Sequence, residues 1–366
     1  MADATWGMLV PAMDRVRLAI VGCGNIVQLN APGYLRHPRC DVTVLCDPIR
    51  ERAESRARQW GLTPRICTDY AQVLDDPAVD ALELLTPTYL HAEQIVAGLA
   101  AGKHVSCQKP ISVSVAEADR VVDAVAKART TFRVTENFLY YPPIVKAKEL
   151  LDAGAIGEPS LVRIHTTRVA EIVGQSMDLE PDALVWRRDP ARNPGGALYD
   201  DGVHKYATAE YWIGEIGEVS AIVGRSPDFL HETPSVATWR FKNRDCLGII
   251  DYTFAPQMTI RGRYYRADEF FEIHGSRGIL WVTRCTGEML DLPPVVLIRG
   301  TETISYQVPM DWRLGFDGAA TDFVDSLLEG RQPAQDVRTA RRILQVPLAI
   351  YEASRTRRPI APESMA

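Results

Sequence analysis

The sequence lacks the features of a membrane protein or of a nucleic-acid-binding protein. No apolar run approaches the ~20 residues that a membrane-spanning helix requires. No lysine or arginine run occurs, and the formal net charge is −6. We therefore expect neither a membrane nor nucleic acid as a partner. Residues 5–13 are apolar, but no basic stretch precedes them, so we expect a tail rather than a signal peptide.

Cysteine and histidine form no recognisable metal-ligand spacing. The seven cysteines are an odd number, and no two of them form a C-x-x-C pair. Reduced thiols in a cytoplasmic protein fit this pattern, and we expect no metal site. Three histidines fall in or beside predicted strands, and we assign them structural roles. They are His165, His231 and His274.

Composition is that of an ordinary globular protein. The chain has 366 residues, of which 46% are hydrophobic and 24% are charged. This length is sufficient for two domains, each with its own core. From the change in pattern along the chain we expect a first domain at residues 1–137 and a second at residues 138–366.

The first domain begins with a strand followed by a glycine turn and a helix. Residues 16–21 are apolar except for one arginine, which is typical of a strand buried in a parallel sheet. Gly22 permits a tight turn, and Gly24 allows close approach of a pyrophosphate to the N-terminus of the helix. We expect Asn25 and Ile26, at the start of that helix, to contact the same cofactor.

A second apolar strand, residues 42–46, ends at Asp47. A carboxylate there can accept hydrogen bonds from the adenosine ribose and would repel a 2′-phosphate. The pattern therefore predicts an NAD site, with NADP a poorer cofactor. The glycine fingerprint is incomplete because Val27 stands where a third small residue is usual, and we expect it to push the helix away from the strand.

Strands and helices continue to alternate up to residue 137, which predicts a doubly wound parallel sheet, the Rossmann architecture. The predicted helices are residues 49–60, 91–101 and 115–127, and the predicted strands are residues 65–67, 81–85, 103–107 and 132–135. Ligands of such sheets bind at the carboxyl ends of the strands. Thr86, Lys109 and Asn137 follow such ends.

The second half of the chain is dominated by short strands with short turns, which predicts an α+β domain with a large, mostly antiparallel open sheet. The predicted strands are residues 161–167, 219–224, 236–241, 246–253, 270–274, 278–282, 295–298 and 304–308, and the predicted helices are residues 143–153, 203–213, 318–328 and 340–355. An open sheet has to cover its outer face. We therefore expect a homodimer or homotetramer formed through this sheet.

Motifs along nearly the whole chain resemble the Gfo/Idh/MocA oxidoreductases, a family named for glucose–fructose oxidoreductase and inositol dehydrogenase. The motifs are AIVGCGNI at 19–26, CDP at 46–48, LLTPTYLHAEQ at 84–94, AGKHVSCQKP at 101–110, ENFLYYP at 136–142, WRRDP at 186–190 and GGALYDDGVH at 195–204. The resemblance implies a Rossmann domain followed by an open antiparallel sheet. It also implies oxidation of a secondary alcohol of a sugar, polyol or related ring by a nicotinamide cofactor.

The resemblance assigns Lys109 to catalysis, because the family motif Glu-Lys-Pro carries a catalytic lysine. An ammonium at a carboxyl strand end can bind a substrate hydroxyl and stabilise the alkoxide that develops as hydride leaves. An isolated Lys-Pro would more often be a surface turn. This chain has Gln108 in place of the motif's glutamate, which leaves the details of the proton relay open.

Asp200 and His204 are four residues apart at the start of a predicted helix, so we expect them to share a face. An imidazole exchanges its proton near neutral pH, and Asp200 could bind a substrate hydroxyl or orient His204. A helix cap plus a structural histidine is the simpler alternative, but the match to the family pattern favours catalysis. Asp201 is a candidate helix cap, and Lys205 should point about 100° away from His204.

The resemblance also implies a set of further contacts with cofactor and substrate. Thr86, Pro87 and His91 resemble the wall around nicotinamide and ribose, although helix capping could explain His91 alone. We expect Gln108, Lys109 and Asn137 to contact the cofactor as well. The expected substrate contacts are Lys109, Tyr141, Trp186, Arg187, Asp200 and His204.

We therefore expect an NAD(P)-dependent dehydrogenase that oxidises a hydroxyl of a sugar, glycoside or cyclitol. One alternative is transient oxidation that acidifies a neighbouring C–H and leads to elimination of a glycosidic substituent. Another alternative is a sensor of sugar or nucleotide on the same fold. The presence of Lys109, Asp200 and His204 together argues against the sensor.

Overall fold

The structure is a computed structural model that describes residues 13–224 and 232–366. His231 and residues 5–12 of the expected tail lie outside the described residues. The chain forms two compact units. Of the described residues, the first unit contains those up to Glu136 together with Glu180–Trp186 and Phe316–Arg341, and the second contains those within Asn137–Leu179, Arg187–Gly315 and Arg342–Ala366.

The first unit contains the predicted parallel sheet. Its six strands are β1 Val16–Val21, β2 Cys40–Cys46, β3 Arg65–Cys67, β4 Ala81–Leu84, β5 His104–Gln108 and β6 Phe132–Thr135. They are ordered β3-β2-β1-β4-β5-β6, and every neighbouring pair is parallel. This is the order of a dinucleotide-binding doubly wound sheet, with the switch point at β1. The predicted fold class of the first domain is confirmed.

Helices of the first unit connect these strands. They are α1 Val27–Arg36, α2 Arg50–Trp60, α3 Ala71–Leu74, α4 His91–Ala100 and α5 Val115–Lys127. The single turn of α3 is absent from the prediction, because four residues are too few to show a helical period. Val27 opens α1 and is fully buried in a core cluster with residues of β1 and β2. The core therefore accommodates the departure from the glycine fingerprint.

The second unit contains an eight-stranded sheet. Its strands are β7 Pro159–Val173, β8 Ile216–Val223, β9 Ser235–Phe241, β10 Leu247–Arg261, β11 Ala267–Gly275, β12 Gly278–Val282, β13 Val295–Arg299 and β14 Glu302–Tyr306. Their order is β14-β13-β12-β11-β7-β10-β9-β8. All neighbouring pairs are antiparallel except β7 and β10, which are parallel. The mostly antiparallel sheet is confirmed.

Five further α-helices complete the described part of the chain, and none of the described helices is both long and apolar enough to cross a membrane. They are α6 Pro142–Asp152, α7 Ala197–Asp200, α8 Gly202–Ile213, α9 Arg313–Glu329 and α10 Val337–Thr356. The prediction began α9 five residues late, since Gly315 and Gly318 lie in its first turns and glycine is a poor helix former.

The prediction also ended β7 and β10 too early, at residues 167 and 253. Beyond those points the two strands pair with each other, as in the register of Thr259 with Glu171. The extension of β10 is largely exposed and that of β7 is mostly only partly buried, so the sequence there has no regular alternation of apolar and polar residues. Pairing alone defines these strands, and a periodicity argument cannot detect it.

A buried polar network joins β4, β5 and β6 of the first unit to α1 and α9. Arg133 on β6 donates to the Tyr34 hydroxyl at 3.1 Å and to the Ser106 hydroxyl at 3.0 Å, and also to the carbonyl of Ala319. The Tyr34 hydroxyl donates to the carboxylate of Glu83 on β4. Burial raises the pKa of Glu83, and the charge of Arg133 opposes that effect. The network therefore holds a charge pair inside the sheet that carries the site.

Replacing Arg133 by methionine should lower the free energy of unfolding by about 3–5 kcal/mol, because Glu83 would lose its compensating charge. Arg50→Met removes the arginine of an exposed Arg50–Glu54 pair and should change stability by less than about 0.5 kcal/mol. Urea denaturation of both variants measures the difference. Adding Glu83→Leu to Arg133→Met should restore part of the loss. A loss below about 1 kcal/mol in Arg133→Met would contradict the role of the network.

Candidate active site

The turn after β1 is formed by a glycine that no other residue could replace without strain. Gly22 has φ +97°, and its N–H donates to the carbonyl of Cys46 at 2.8 Å. A Cβ on Gly22 would lie 2.7 Å from the carbonyl oxygen of Leu85. The turn is therefore pressed between the ends of β2 and β4, which leaves room for backbone only.

Asp47 lies directly after β2 and is 4% exposed. One of its carboxylate oxygens accepts the N–H of Cys23 at 2.8 Å, and the other accepts the N–H of Ile49 at 2.9 Å. A carboxylate has about four acceptor positions, so two remain for the hydroxyls of a ribose. The residues at the end of β2 therefore fit an NAD ribose.

The start of α1 is not capped by a side chain, as a pyrophosphate site requires. Ile26 is the N-cap residue, and an isoleucine side chain has no atom that could accept a hydrogen bond from the first turn. The preceding Asn25 is buried, and its amide hydrogen bonds in both directions to the backbone of Glu180, at 2.9 Å and 3.2 Å. Sequence reasoning assigned Asn25 to the cofactor and missed its contact with a segment 155 residues away.

The loop after β4 and the loop after β5 are linked by His91. Its Nε2 lies 2.8 Å from the carbonyl oxygen of Thr86, and its Nδ1 lies 2.7 Å from that of Pro110. The side chain is 1% exposed. Both ring nitrogens thus contact backbone oxygens, so the imidazole connects the two loops. Thr86 in turn bonds Gln94 through its hydroxyl at 2.5 Å.

Lys109 is half-buried and follows β5 as predicted. Its backbone N–H donates to Oε1 of Gln108 at 2.9 Å. Nε2 of Gln108 is 3.4 Å from Oδ1 of Asn30 on α1. The glutamine that departs from the family motif is therefore a buried link between α1 and the backbone of Lys109.

In the second unit, Asp200 and His204 do not share one helix. Asp200 ends α7 and His204 lies in α8, because the helix breaks at Asp201. The expectation of one continuous helical face is wrong at this point. Asp200 instead receives a hydrogen bond from Nε of Arg187 at 2.9 Å. The structure thus brings together two residues that the sequence assigned separately to substrate.

The imidazole of His204 is 5% exposed and stacks on the ring of Phe138. The two ring centroids are 4.6 Å apart and the ring planes differ by 19°. The N–H of His204 donates to the carbonyl of Asp201 at 3.2 Å, and its own carbonyl accepts the hydroxyl of Thr208 at 2.8 Å. The orientation of the imidazole is therefore fixed by packing on one ring face and by the helix backbone.

A buried charge cluster at the start of α8 was missed by sequence reasoning. Lys205 is fully buried and forms ion pairs with Asp201 at 2.8 Å and with Glu269 at 3.0 Å. Asp201 also lies 3.4 Å from the guanidinium of Arg168 and accepts the hydroxyl of Tyr252 at 2.8 Å. Asp201 is the N-cap residue of α8 as expected, but its side chain makes no capping bond.

Charge compensation within this cluster is close to complete. Burial opposes the ionisation of Asp201, but the charges of Lys205 and Arg168 outweigh it and hold the pKa of that carboxyl well below its usual range. Burial likewise opposes the charge on Lys205, and the carboxylates of Asp201 and Glu269 raise its pKa above the usual value. Two cations and two carboxylates therefore anchor the helix that carries His204.

The remaining predicted substrate residues have identifiable partners. Trp186 belongs to the first unit, where its ring lies 6.1 Å from that of Tyr89 in an edge-on arrangement. Tyr141 is fully buried, and its hydroxyl donates to the carbonyl of Met310 at 3.0 Å. These contacts give Tyr141 a structural role in the second unit. The amide of Asn137 is buried with no partner among the described residues, so it remains able to bind a ligand group.

His165 and His274 lie on strands and pair with carboxylates, as their assigned structural roles require. Nδ1 of His165 is 2.7 Å from Asp251, and Nε2 of His274 is 2.9 Å from Glu272. All seven cysteines are described, and each is a buried free thiol. Within the two described ranges no three His, Cys, Asp or Glu side chains are grouped to hold a metal ion.

Comparison with known proteins decides the family. Residues 16–136 match the model of the oxidoreductase family with an NAD-binding Rossmann fold, and residues 144–281 match the model of the GFO/IDH/MocA C-terminal domain. The chain belongs to the GFO/IDH/MocA oxidoreductase family. It is therefore an NAD(P)-dependent dehydrogenase with an NAD-binding Rossmann domain, as the sequence motifs predicted.

Relatives of this oxidoreductase include proteins of known and unknown substrate. An uncharacterised oxidoreductase of Bacillus subtilis is 30% identical over 265 residues, 71% of each chain. The myo-inositol 2-dehydrogenase of Thermotoga maritima is 27% identical over 272 residues, 72% of this chain and 74% of that one. Levoglucosan dehydrogenase in complex with NADH has the same fold, with a TM-score of 0.79 at 22% identity, covering 95% of this chain and 99% of that chain.

Replacing Gly22 by alanine should weaken NADH binding by the oxidoreductase at least about tenfold, because the new Cβ would force the turn away from Leu85. Fluorescence titration with NADH measures this change. The matched control is Gly61→Ala, since Gly61 also has a positive φ, +64°, but no atom lies within 4 Å of the position that a Cβ would take there. An NADH affinity for Gly22→Ala equal to that of Gly61→Ala would contradict the placement of the turn.

Proposed function

We propose that this dehydrogenase oxidises a secondary hydroxyl of a sugar, glycoside or cyclitol. The observation that carries the proposal is the Arg187–Asp200 ion pair beside the helix that carries His204. A carboxylate held by an arginine is a fixed acceptor for substrate hydroxyls, and an imidazole can take a hydroxyl proton. Two relatives are named as dehydrogenases of levoglucosan and of myo-inositol, both polyhydroxylated rings, which is consistent with this class of substrate.

Asp47, Gly22 and the open start of α1 would hold the adenosine ribose and the pyrophosphate of NAD. The spare acceptor positions of Asp47 and the uncapped start of α1 support this assignment. The nicotinamide ring, when bound, supplies the hydride acceptor. The unpartnered amide of Asn137 supports its assigned role as a further ligand contact.

Three side chains would carry the proton chemistry. His204 removes the hydroxyl proton, Lys109 polarises the same oxygen, and Asp200 binds a hydroxyl and fixes the substrate. The stacking of His204 on Phe138 and the bond from Lys109 N–H to Gln108 support these roles, because a catalytic group has to be held in one orientation.

A screen of sugars, glycosides and inositols that follows NADH absorbance tests the proposed function. A true substrate should give one NADH for each molecule oxidised. Consumption of a glycoside with no net NADH would instead indicate elimination by transient oxidation. A screen in which every polyhydroxylated ring fails while another class of alcohol is oxidised would overturn the substrate class.

Replacing Lys109 or His204 by alanine should each lower kcat by about 10²–10⁴, the usual scale for a positioned acid–base group. NADH affinity should stay near the wild-type value, because neither side chain is assigned to the adenosine end of the cofactor. The melting temperature should fall only in His204→Ala, because that change leaves a cavity beside Phe138. The double variant should be little worse than the poorer single one, since both groups serve one proton transfer. Wild-type turnover in either single variant would remove that residue from the mechanism. His165→Ala serves as a control, because that histidine pairs with Asp251 on a strand.

A homo-oligomer formed through the second unit's sheet remains our proposal, as does a cytoplasmic location. Side chains of β9 alternate strictly between buried and exposed, and the exposed ones include Val236. Val236 is in register with Ile222 on β8, which is 78% exposed. Adjacent exposed aliphatic side chains on one sheet face support contact with a second copy.

Replacing Val236 by lysine should shift the protein toward monomer in light scattering coupled to size exclusion, because a charge would be buried against the second copy. Val173→Lys is the control, since Val173 is 64% exposed at the far end of β7. A wild-type protein that is already monomeric, or a Val236→Lys variant with unchanged mass, would contradict dimerisation through this face.

A further inference from the structure

The segment Glu180–Trp186 belongs to the first unit although it lies far from it in sequence. It is attached at the glycine turn, where the backbone of Glu180 exchanges hydrogen bonds with the amide of Asn25 at 2.9 Å and 3.2 Å. Asn25 directly follows Gly24. The segment therefore starts beside the part of the site assigned to the pyrophosphate.

The side chain of Glu180 makes an ion pair that no sequence motif indicated. Its Oε2 lies 2.8 Å from Nε of Arg52 on α2. The side chain of Arg52 is 22% exposed and that of Glu180 is 40% exposed. The guanidinium is therefore held by a carboxylate and is only partly buried.

Arg52 lies in the first turn of α2, which follows closely on Asp47 in the chain. The N–H of Arg52 donates to the carbonyl of Ile49 at 3.0 Å, and the N–H of Ile49 donates to Asp47 at 2.9 Å. A second cation of α2, Arg56, donates to the carbonyl of Cys23. The N–H of Cys23 donates to Asp47 at 2.8 Å. Arg52 is therefore near the carboxylate assigned to the adenosine ribose.

An arginine near this position is the usual partner of the 2′-phosphate in dinucleotide-binding sheets that use NADP. The first unit thus contains both the acid that favours NAD and a cation that could favour NADP. The other cation, Arg56, is already engaged, because it donates to the carbonyl of Cys23 at 3.4 Å and to Gln59 at 2.9 Å. Arg52 is instead paired with the carboxylate of Glu180.

We propose that Glu180 is a second determinant of cofactor selectivity, acting by neutralising Arg52. While Glu180 holds the guanidinium, a 2′-phosphate would have to displace a carboxylate to reach it, and the added negative charge would also repel the phosphate. The preference for NAD then depends on two carboxylates, Asp47 at the end of β2 and Glu180 from a distant segment. This inference adds a residue to the proposed role of Asp47 and does not depend on the identity of the substrate.

The test uses fluorescence titration with NADH and with NADPH, which needs no substrate. Glu180→Gln removes the charge and leaves the backbone bonds to Asn25 in place. It should tighten NADPH binding relative to NADH on the order of tenfold, the scale of one charge-assisted hydrogen bond. The same titrations in an Asp47→Ser background keep the effect measurable if the wild type binds NADPH too weakly. Asp47→Ser by itself tests the role of Asp47 separately.

Two further variants separate release of Arg52 from a general change in charge. In Arg52→Gln the gain from Glu180→Gln should disappear, because no guanidinium is left to release. Glu54→Gln, the matched control, removes a carboxylate that pairs with Arg50 on the same helix, and it should leave the NADPH/NADH affinity ratio unchanged. The proposal is overturned by an unchanged ratio in Glu180→Gln, by equal weakening of both cofactors, or by a gain that persists without Arg52.

Discussion

The contact between Gly22 and the backbone of Leu85 is the constraint on which the carboxyl edge of the first sheet depends. Because Gly22 also donates to Cys46, one residue without a side chain holds the ends of β1, β2 and β4 together. Cys23 comes next in the chain, and its N–H orients the carboxylate of Asp47. Thr86 follows Leu85 and is bridged through His91 to Pro110, beside Lys109. Any side chain at residue 22 would therefore disturb groups on three loops at once.

Departure of this chain from the Glu-Lys-Pro motif has a structural explanation at Gln108. A glutamine accepts through its carbonyl oxygen and donates through its NH₂, whereas an ionised glutamate can only accept. Here both functions are used, since Gln108 accepts the N–H of Lys109 and donates to Asn30. The amide therefore positions the lysine backbone through α1. A carboxylate at residue 108 would face the oxygen of Asn30 and repel it unless the Asn30 amide turned over.

The fold and most of the candidate residues could be predicted because they lie in local patterns. Apolar runs that end in Gly22, Asp47 or Lys109 are visible in a window of a few residues. The ion pairs around those residues could not be predicted, because they join side chains that are far apart in the sequence. Glu180 reaches Arg52 from 128 residues away, and Lys205 pairs with Glu269 across 64 residues. A buried ionised lysine is rare, so a solvent-exposed position is the natural expectation until its partners are known.

The buried charge cluster explains how a helix with no side-chain cap can hold the imidazole of His204 in one orientation. An aspartate at an N-cap normally bonds the free N–H groups of the first turn. Asp201 instead directs its carboxylate to Lys205, Arg168 and Tyr252. Ion pairs to β7 and β11 and a hydrogen bond from β10 therefore fix the start of α8. Phe138, which carries the stacked imidazole of His204, also has the ammonium of Lys205 5.0 Å from its ring centroid. A cation beside an aromatic face stabilises that ring in place. The orientation of His204 thus depends on a ring, Phe138, that the buried charge cluster itself helps to hold.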